Sequence, residues 1–167
     1  MFKEINIRDI NKNFVKSIAD EWMLISAGDE KAANMMTASW GMIGELWNKD
    51  VVCCFIRPQR HTLGFVENSD TFALSFFGKN YKKELSFCGT KSGRDYDKIK
   101  ETGLTPLYDC KTIAFDEAET IIFCKKLAVS EFTPDMFLDT SIDEKNYPEK
   151  DYHKIFIGEI IKVIVKE

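Results

Sequence analysis

The segment from residue 57 to residue 62 collects side chains that bind anions, where a predicted strand ends and a predicted helix begins. Its members are Arg57, Pro58, Gln59, Arg60, His61 and Thr62. Backbone N–H groups at a helix N-terminus attract negative charge, and arginine offers a planar fork of donors that matches phosphate oxygens. The pattern indicates a phosphate cradle within one helical turn. The alternative is a solvated helix start with an ordinary salt bridge.

A second segment is rich in glycine and hydroxyl groups and carries a lysine. It reads Cys88, Gly89, Thr90, Lys91, Ser92, Gly93, Arg94 and Asp95. The P-loop pattern is absent because Lys91 follows Thr90 rather than a glycine. Two interpretations stay open: the loop contacts an anion through Lys91, or it is a capped turn that starts a helix.

A third segment interleaves small polar residues with methionine and tryptophan. It reads Asn34, Met35, Met36, Thr37, Ala38, Ser39 and Trp40. Taken alone, this composition fits a half-buried strand. No Ser/His/Asp arrangement stands out, because His61 and His153 are the only imidazoles. With two histidines and no C-x-x-C spacing among five cysteines, we expect no metal site.

The composition is that of one globular domain. Hydrophobic residues make up 44% of the 167 residues and charged residues 30%, values that separate the chain from disordered and fibrous proteins. The net charge of -4 argues against a broad nucleic-acid surface, which needs a basic stripe. No apolar stretch approaches the roughly 20 residues of a membrane helix, and the N-terminus does not resemble a signal peptide. We therefore expect a cytoplasmic protein that binds neither nucleic acid nor membranes.

Hydrophobic periodicity and turn residues predict short helices between strands. The predicted helices span residues 11–19, 58–67, 80–87 (capped by Asn80) and 93–102 (opened by Ser92 and ended by Gly103). The predicted strands span residues 21–27, 34–43, 51–56, 71–77, 120–130 and 153–166. In the last strand the residues expected to share one face are Ile155, Ile157, Ile161, Val163 and Val165. Residues 133–151 are polar and predict a long loop of the kind that often forms a lid.

This order of elements predicts a mainly β fold with short connecting helices. The β-α-β alternation of the first half allows a doubly wound sheet, whereas the all-β second half favours a barrel with helical connections. There is no internal repeat and no linker, so residues 1–167 are expected to form a single domain.

Taken in order, the three segments resemble the FMN-binding split-barrel proteins of the flavin reductase-like family. Residues 34–40 resemble the family's N-x-M-T-x-S-W signature, and residues 57–62 its R-P-x-R-x-T segment. Residues 72–77 are similar to its next strand, residues 88–95 to the loop of a flavoredoxin-like branch, and residues 153–160 to its closing H-x-x-x-x-G-x-[VI] strand. The resemblance extends roughly from Trp22 to Ile164 and depends on the order and spacing of the set.

The resemblance implies a split β-barrel homodimer with FMN near the subunit interface. By position, residues Asn34 to Trp40 would line the isoalloxazine. The phosphate would be held by Arg57, Arg60, His61 and Thr62, with Gln59 in the same cofactor-binding segment. Lys91 would lie near the N1/O2 edge of the ring, with Thr90 and Ser92 adding polar contacts. His153 would either face the substrate or brace its strand, and both alternatives stay open.

The resemblance also implies an oxidoreductase. Bound FMN would accept hydride from NADH or NADPH and pass electrons to free flavin or another acceptor. No side chain need act as acid or base, because the flavin carries the chemistry. The alternatives are a flavoredoxin-like FMN electron carrier with little NAD(P)H activity, and a non-catalytic split-barrel binding module. Residues 133–151 are the part least like the family, and they leave the hydride donor open.

Overall fold

The computed structural model describes all residues, 1–167, and contains ten strands and five α-helices. The strands are β1 (Phe2–Glu4), β2 (Met23–Gly28), β3 (Ala33–Ala38), β4 (Gly41–Leu46), β5 (Lys49–Ile56), β6 (Thr71–Phe76), β7 (Pro106–Asp109), β8 (Thr112–Phe115), β9 (Thr120–Glu131) and β10 (Lys154–Lys166). The helices are α1 (Phe14–Lys16), α2 (Thr62–Asn68), α3 (Lys82–Thr90), α4 (Lys98–Thr102) and α5 (Thr140–Asn146). A π-helical turn, Ser17–Glu21, continues α1, and short 3-10 turns occupy Ile7–Asp9, Gly78–Tyr81 and Pro134–Met136. No helix has both the length and the hydropathy that crossing a membrane requires.

One curled antiparallel sheet forms the body of the protein. Its strand order is β3-β2-β6-β9-β10-β5-β4, with β1 added beside β10, and β7 and β8 form a separate hairpin. The two edge strands, β3 and β4, are consecutive in the chain and only Ser39 and Trp40 separate them. The sheet must therefore curl until its edges meet at this link, which makes a barrel split between β3 and β4. The predicted split β-barrel, mainly β with short connecting helices, is confirmed. The doubly wound alternative is excluded because every strand pair is antiparallel.

Both faces of the sheet are buried, which explains the near-continuous apolar runs in its strands. Alternate residues of the long strands form one cluster of 18 buried side chains, including Phe72 and Phe156. The residues between them face a second cluster of 14, which α3 and the β7–β8 hairpin cover and which includes Leu24 and Phe123. Burial at about 25 cal/mol per Å² of apolar surface makes these two layers the main source of stability.

The longest strand, β10, does not keep one face along its length. Its register against β9 shifts between Ile157 and Gly158 and again between Ile160 and Lys162. The structure accordingly buries Phe156 and Val163 and leaves Ile161 43% exposed. The prediction that these isoleucine and valine residues share one face was wrong, because the bulge at Ile161 inserts a residue into β10 and reverses its alternation, whereas the other shift places its extra residue, Leu127, in β9.

Several predicted elements begin or break elsewhere in the structure. The strand predicted over residues 34–43 is two strands interrupted at Ser39 and Trp40. The helix predicted from Pro58 starts only at Thr62, because Pro58 and Gln59 form a turn closed by the hydrogen bond from Arg60 N to Arg57 O (3.1 Å). Proline favours the second position of such a turn as strongly as it favours a helix start.

The helix predicted over residues 93–102 is reduced to α4. Asp97 is its N-cap and accepts a hydrogen bond from Lys100 N, whereas the Ser92 hydroxyl accepts one from Arg94 N in a local turn. Gly103 ends the helix in the left-handed conformation, as predicted. Asn80 does not cap α3, which begins two residues later without a side-chain cap. Residues 133–151 are not one loop, since they contain α5.

Candidate functional site

A cavity of about 330 Å³ opens at the split of the barrel. Its lining residues are Met36, Thr37, Ala38, Ser39, Trp40, Phe55, Arg57, Gln59, Arg60 and His153. Strand pairing brings these segments together, because Ile56 lies opposite Lys154 and therefore Arg57 emerges beside His153. We call this the polar cavity. No group of His, Cys, Asp or Glu in the structure is arranged to hold a metal ion.

Arg57 lines the polar cavity but is already engaged by the segment that follows β9. Its guanidinium forms an ion pair with Asp151, donates to the Asn146 carbonyl (2.8 Å) and lies 5.1 Å from the centre of the Tyr147 ring. Gln59 Nε2 donates to the same carboxylate oxygen of Asp151 at 2.7 Å. Although burial opposes it, these donors hold the pKa of Asp151 below its usual range. Arg57 therefore fastens residues 146–151 to the edge of the polar cavity.

Arg60 is the cavity's other guanidinium, and no carboxylate lies within 4 Å of it. It donates to the carbonyls of Gly89 (2.7 Å) and Thr37 (3.3 Å), which join the end of α3 to the edge of β3. Burial and the neighbouring charge of Arg57 lower the pKa of Arg60 from its ordinary value. The site therefore carries a partly buried positive charge that no carboxylate of the chain neutralises.

Lys98 binds the same edge of β3, and the sequence analysis did not identify it as a site residue. Its Nζ donates to the carbonyls of Met35 and Cys88, both at 2.9 Å, and the residue is only 5% exposed. Burial lowers the pKa of Lys98 to about 8. Together with Arg60, it satisfies two outward carbonyls of an edge strand that would otherwise lack partners. No sequence signal distinguishes Lys98, because a lysine in a polar segment normally lies in solvent.

His153 closes the polar cavity on the β10 side. Its Nδ1 lies 2.8 Å from the Tyr147 hydroxyl, and its ring centre is 5.3 Å from that of Trp40. Burial, and then the charge of Arg57, lower the pKa of His153 to about 4. The imidazole is therefore neutral at pH 7, and its orientation is fixed by a residue of the segment that Arg57 holds.

The predicted phosphate segment divides between the polar cavity and a neighbouring surface groove. Arg57, Gln59 and Arg60 line the polar cavity, whereas His61 packs edge-on against Phe65 and lines the groove, which Arg60 also borders. Thr62 is buried, and its hydroxyl accepts a hydrogen bond from the Asn34 amide (3.0 Å). Of the third predicted segment, residues 36–40 line the polar cavity, while Met35 belongs to the buried cluster under α3.

The three predicted polar contacts from the glycine-rich loop lie outside the polar cavity. Lys91 Nζ is 5.4 Å from the centre of the Tyr96 ring, and the residue is exposed. Thr90 donates to Ser86 O at 2.9 Å, within α3. The loop itself passes close to β3, since a Cβ on Gly93 would lie 2.4 Å from Asn34 Oδ1. A role for Thr90, Lys91 and Ser92 in binding a cofactor stays a prediction.

A second and larger cavity, of about 670 Å³, adjoins the first and shares Ser39, Trp40 and Phe55 with it. Its remaining lining residues are Phe14, Val15, Ile18, Ala19, Gly41, Met42, Ile43, Phe132, Phe137, Ile142, Asn146 and Tyr147. We call this the apolar cavity. The two cavities meet at the Ser39–Trp40 link between β3 and β4. Arg57 and Arg60 line the polar cavity, whereas aromatic and aliphatic side chains dominate the lining of the apolar cavity.

Comparisons with known proteins agree with the split-barrel fold. The model of the flavin reductase like domain matches residues 15–167. The fold is similar to that of a flavoredoxin from Methanosarcina acetivorans, with a TM-score of 0.71 and 20% identity over 88% of this chain and 69% of that one. It is also similar to an FMN-binding domain of a flavin reductases-like enzyme from Shewanella baltica (TM-score 0.70, 15% identity, 99% and 77% coverage). An NADH:FAD oxidoreductase from Streptomyces globisporus is a further neighbour (TM-score 0.66, 15% identity, 86% and 73% coverage). Among curated proteins, no match was found.

Proposed function

The chain belongs to the flavin reductase like domain family, and from that premise we propose that it binds FMN at the polar cavity and works as an oxidoreductase. In this proposal NADH or NADPH supplies electrons, which pass to free flavin or another small acceptor. The observation that carries the proposal is the partly buried Arg60 guanidinium without a carboxylate partner, lining a cavity at the end of an edge strand. Such a charge is stabilised by an anionic ligand.

The residues of the polar cavity fit FMN in two respects. Arg57 and Arg60 offer forked donors for the phosphate, and both line the cavity. Trp40, Phe55 and Met36 supply apolar surface for the isoalloxazine. FMN, when bound, would supply the hydride-accepting and electron-donating chemistry. The chain's own residues bind it, shield it from water and hold a neutral imidazole beside it.

The other predicted residues that the proposal uses have the following places. Residues 36–40 would line the ring, while Asn34 and Thr62 would hold β3 against α2 through their mutual hydrogen bond. Lys91, with Thr90 and Ser92, would reach the ring's N1/O2 edge only if the loop after α3 turned toward the polar cavity. His153 would present its second ring nitrogen to the substrate side, because Tyr147 occupies the first.

A homodimer completes the proposal, since the family resemblance implies that flavin lies near a subunit interface. The partners would then be a second copy of the chain and small-molecule electron donors and acceptors. The likeness to a flavoredoxin supports a second candidate, an FMN electron carrier with little NAD(P)H activity of its own.

Flavin binding and NAD(P)H oxidation test the proposal in sequence. Titration of FMN into the purified protein, followed by fluorescence quenching, should give saturable binding, and riboflavin should bind more weakly because it lacks the phosphate. Stopped-flow mixing of the FMN-loaded protein with NADH and with NADPH then separates a reductase from a carrier. A colourless protein that ignores added FMN would leave only the non-catalytic binding module.

A further inference from the structure

Four rings form a continuous row from the polar cavity to the surface beside α5. The ring centres of Trp40 and His153 are 5.3 Å apart. His153 and Tyr147 follow at 5.5 Å, and Tyr147 and Tyr152 at 4.9 Å. The two middle rings are buried, whereas Trp40 and Tyr152 at the ends are partly open to solvent. We call these four residues the aromatic row.

Each tyrosine of the aromatic row is paired with a group that can take its proton. The Tyr147 hydroxyl lies 2.8 Å from His153 Nδ1, and the Tyr152 hydroxyl donates to Asp143 Oδ1 at 2.8 Å. Burial lowers the pKa of His153 to about 4, so the imidazole is neutral and Nδ1 can accept the phenol proton. Hydrogen bonds from Lys150 and Tyr152 lower the pKa of Asp143, which is therefore a carboxylate at neutral pH.

Cations lie against both phenol rings and oppose a positive charge on either of them. Arg57 Cζ is 5.1 Å from the centre of the Tyr147 ring, and Lys150 Nζ is 6.0 Å from that of Tyr152. Removing an electron from a phenol leaves a radical cation, which a neighbouring positive charge destabilises. Loss of the hydroxyl proton makes the radical neutral. An electron therefore leaves either tyrosine only together with a proton, which passes to the base that the hydroxyl already contacts.

The other tyrosines and the other exposed tryptophan lack this arrangement. Tyr147 and Tyr152 are the two of the five tyrosines whose hydroxyl contacts a side-chain base. Tyr108, on β7, is 41% exposed and has no such partner. Trp47 is 57% exposed, comparable to Trp40 at 47%, but no aromatic ring packs against it. The combination of ring contacts and paired bases is therefore particular to the aromatic row.

We propose that the aromatic row is a protective radical relay, which moves a one-electron oxidation from Trp40 at the polar cavity to Tyr152 at the surface. The oxidant is an oxygen-centred radical, the class of species that arises where reduced cofactors meet dioxygen. The relay goes beyond the proposed function and rests on it only for the source of that radical, because the row and its bases belong to the chain itself.

The steps of the relay balance in electrons and protons. The oxygen radical takes one electron from Trp40 and becomes an anion. Tyr147 returns an electron to the Trp40 radical cation, and the Tyr147 hydroxyl proton passes to His153 Nδ1. Tyr152 then reduces the Tyr147 radical, which recovers its proton from His153, while the Tyr152 proton passes to Asp143. A thiol in solution finally supplies one electron to the Tyr152 radical, and Asp143 returns the proton.

Pulse radiolysis of the purified protein, without added flavin, tests the relay. Azide radicals oxidise indole side chains, and the absorption of the indole and phenoxyl radicals is then followed in time. In the parent protein the indole signal should decay as the phenoxyl signal rises. We expect Trp40→Phe to remove most of this rise and Trp47→Phe, the matched control, to keep it.

Tyrosine variants locate the path beyond Trp40. Tyr147→Phe should slow the phenoxyl rise at least tenfold, whereas Tyr108→Phe, the control, should match the parent protein. Spin trapping followed by peptide mapping should place the adduct of the parent protein on Tyr152. The rise should be slower in heavy water than in ordinary water, because the hydroxyl proton moves with the electron. Circular dichroism confirms that each variant folds.

Three results would overturn the proposal. The first is an equal rate of phenoxyl formation in Tyr147→Phe and Tyr108→Phe. The second is an adduct of the parent protein on a tyrosine other than Tyr152. The third is an equal rate in ordinary and heavy water, which would show that the paired bases take no part. FMN binding is measured separately, so a protein that ignores FMN leaves the result on the relay standing.

Discussion

Arg57 has two possible partners, the segment after β9 and the phosphate of FMN, and replacing Asp151 separates the two roles. In the structure its guanidinium binds the Asp151 carboxylate and the Asn146 carbonyl, whereas the proposed function places it at the phosphate of FMN. Asp151→Asn keeps the size of the side chain and removes its charge, so it frees Arg57 for the phosphate. Arg57→Ala removes the guanidinium altogether. The two variants should therefore change FMN affinity in opposite directions.

The sizes of these effects follow from charge-assisted hydrogen bonding. A bond of this kind contributes roughly 1.5–3 kcal/mol, so Arg57→Ala should weaken FMN binding by about 10- to 150-fold. The Arg57 and Asp151 side chains are 26% and 19% exposed, so water screens part of their attraction. Releasing Arg57 should therefore strengthen FMN binding by only about 1 kcal/mol, or roughly fivefold.

Fluorescence titration at constant ionic strength measures both variants, with riboflavin as the ligand that lacks the phosphate. Riboflavin affinity should change by less than twofold in either variant. The reasoning is refuted if Asp151→Asn weakens FMN binding as much as Arg57→Ala does, because Arg57 would then act only by fastening residues 146–151. Equal losses for FMN and riboflavin would likewise show that Arg57 does not contact phosphate.

Four further predictions concern Lys98, His153, Lys91 and the assembly. Between pH 8 and pH 10.5 the unfolded chain keeps a proton that folded Lys98 has lost, so parent stability in urea melts should rise by about 2 kcal/mol relative to Lys98→Met. The exposed Lys100→Met is the control, and parallel curves for parent and Lys98→Met would contradict the burial argument. Because the pKa of His153 is lowered to about 4 from 6.5, the stability that its neutral form contributes should be lost as pH falls from 6.5 to 4, by about 2 kcal/mol, and His153→Gln should remove that dependence. Lys91→Met should leave FMN affinity within about twofold, since Lys91 packs on Tyr96; a lower midpoint potential by spectroelectrochemistry would instead put Lys91 at the flavin ring. Sedimentation at micromolar concentration should report about twice 19.3 kDa, and a monomer that still binds FMN tightly would contradict a site at the subunit interface.

Long strands were predictable because their apolar patterns are strong and local. β9 and β5 lie within two residues of the predicted spans, and Gly103 ends α4 as its residue type requires. The break at Ser39 and Trp40 was not predictable, since both residues are compatible with a continuing strand. The turn between β4 and β5 was not predictable either. Trp47 and Asn48 both adopt positive φ there, without the glycine that usually marks such a turn.

In the candidate site, residues marked by a local sequence pattern were predictable, whereas contacts between residues far apart in the sequence were not. Arginines and a strand end were visible in the sequence, and three members of the predicted phosphate segment do line the polar cavity. Their partners were not visible, because Asp151 lies 94 positions from Arg57 and only the pairing of β5 with β10 brings the two together. Lys98 was missed for a related reason, since its burial depends on α4 packing beside an edge strand 63 positions earlier in the chain.

The short link between β3 and β4 also acts as a tether. Three Cα-to-Cα steps join Ala38 to Gly41, so these ends can separate by at most about 11 Å however the barrel moves. The opposite ends, Ala33 and Leu46, have no such restraint. The gap between β3 and β4 is therefore held narrow at the Ser39–Trp40 link and can widen toward Ala33 and Leu46. Both cavities lie at the narrow end, beside the link. Changes in length or sequence at the wide end can accumulate without altering the spacing of the groups that surround Trp40.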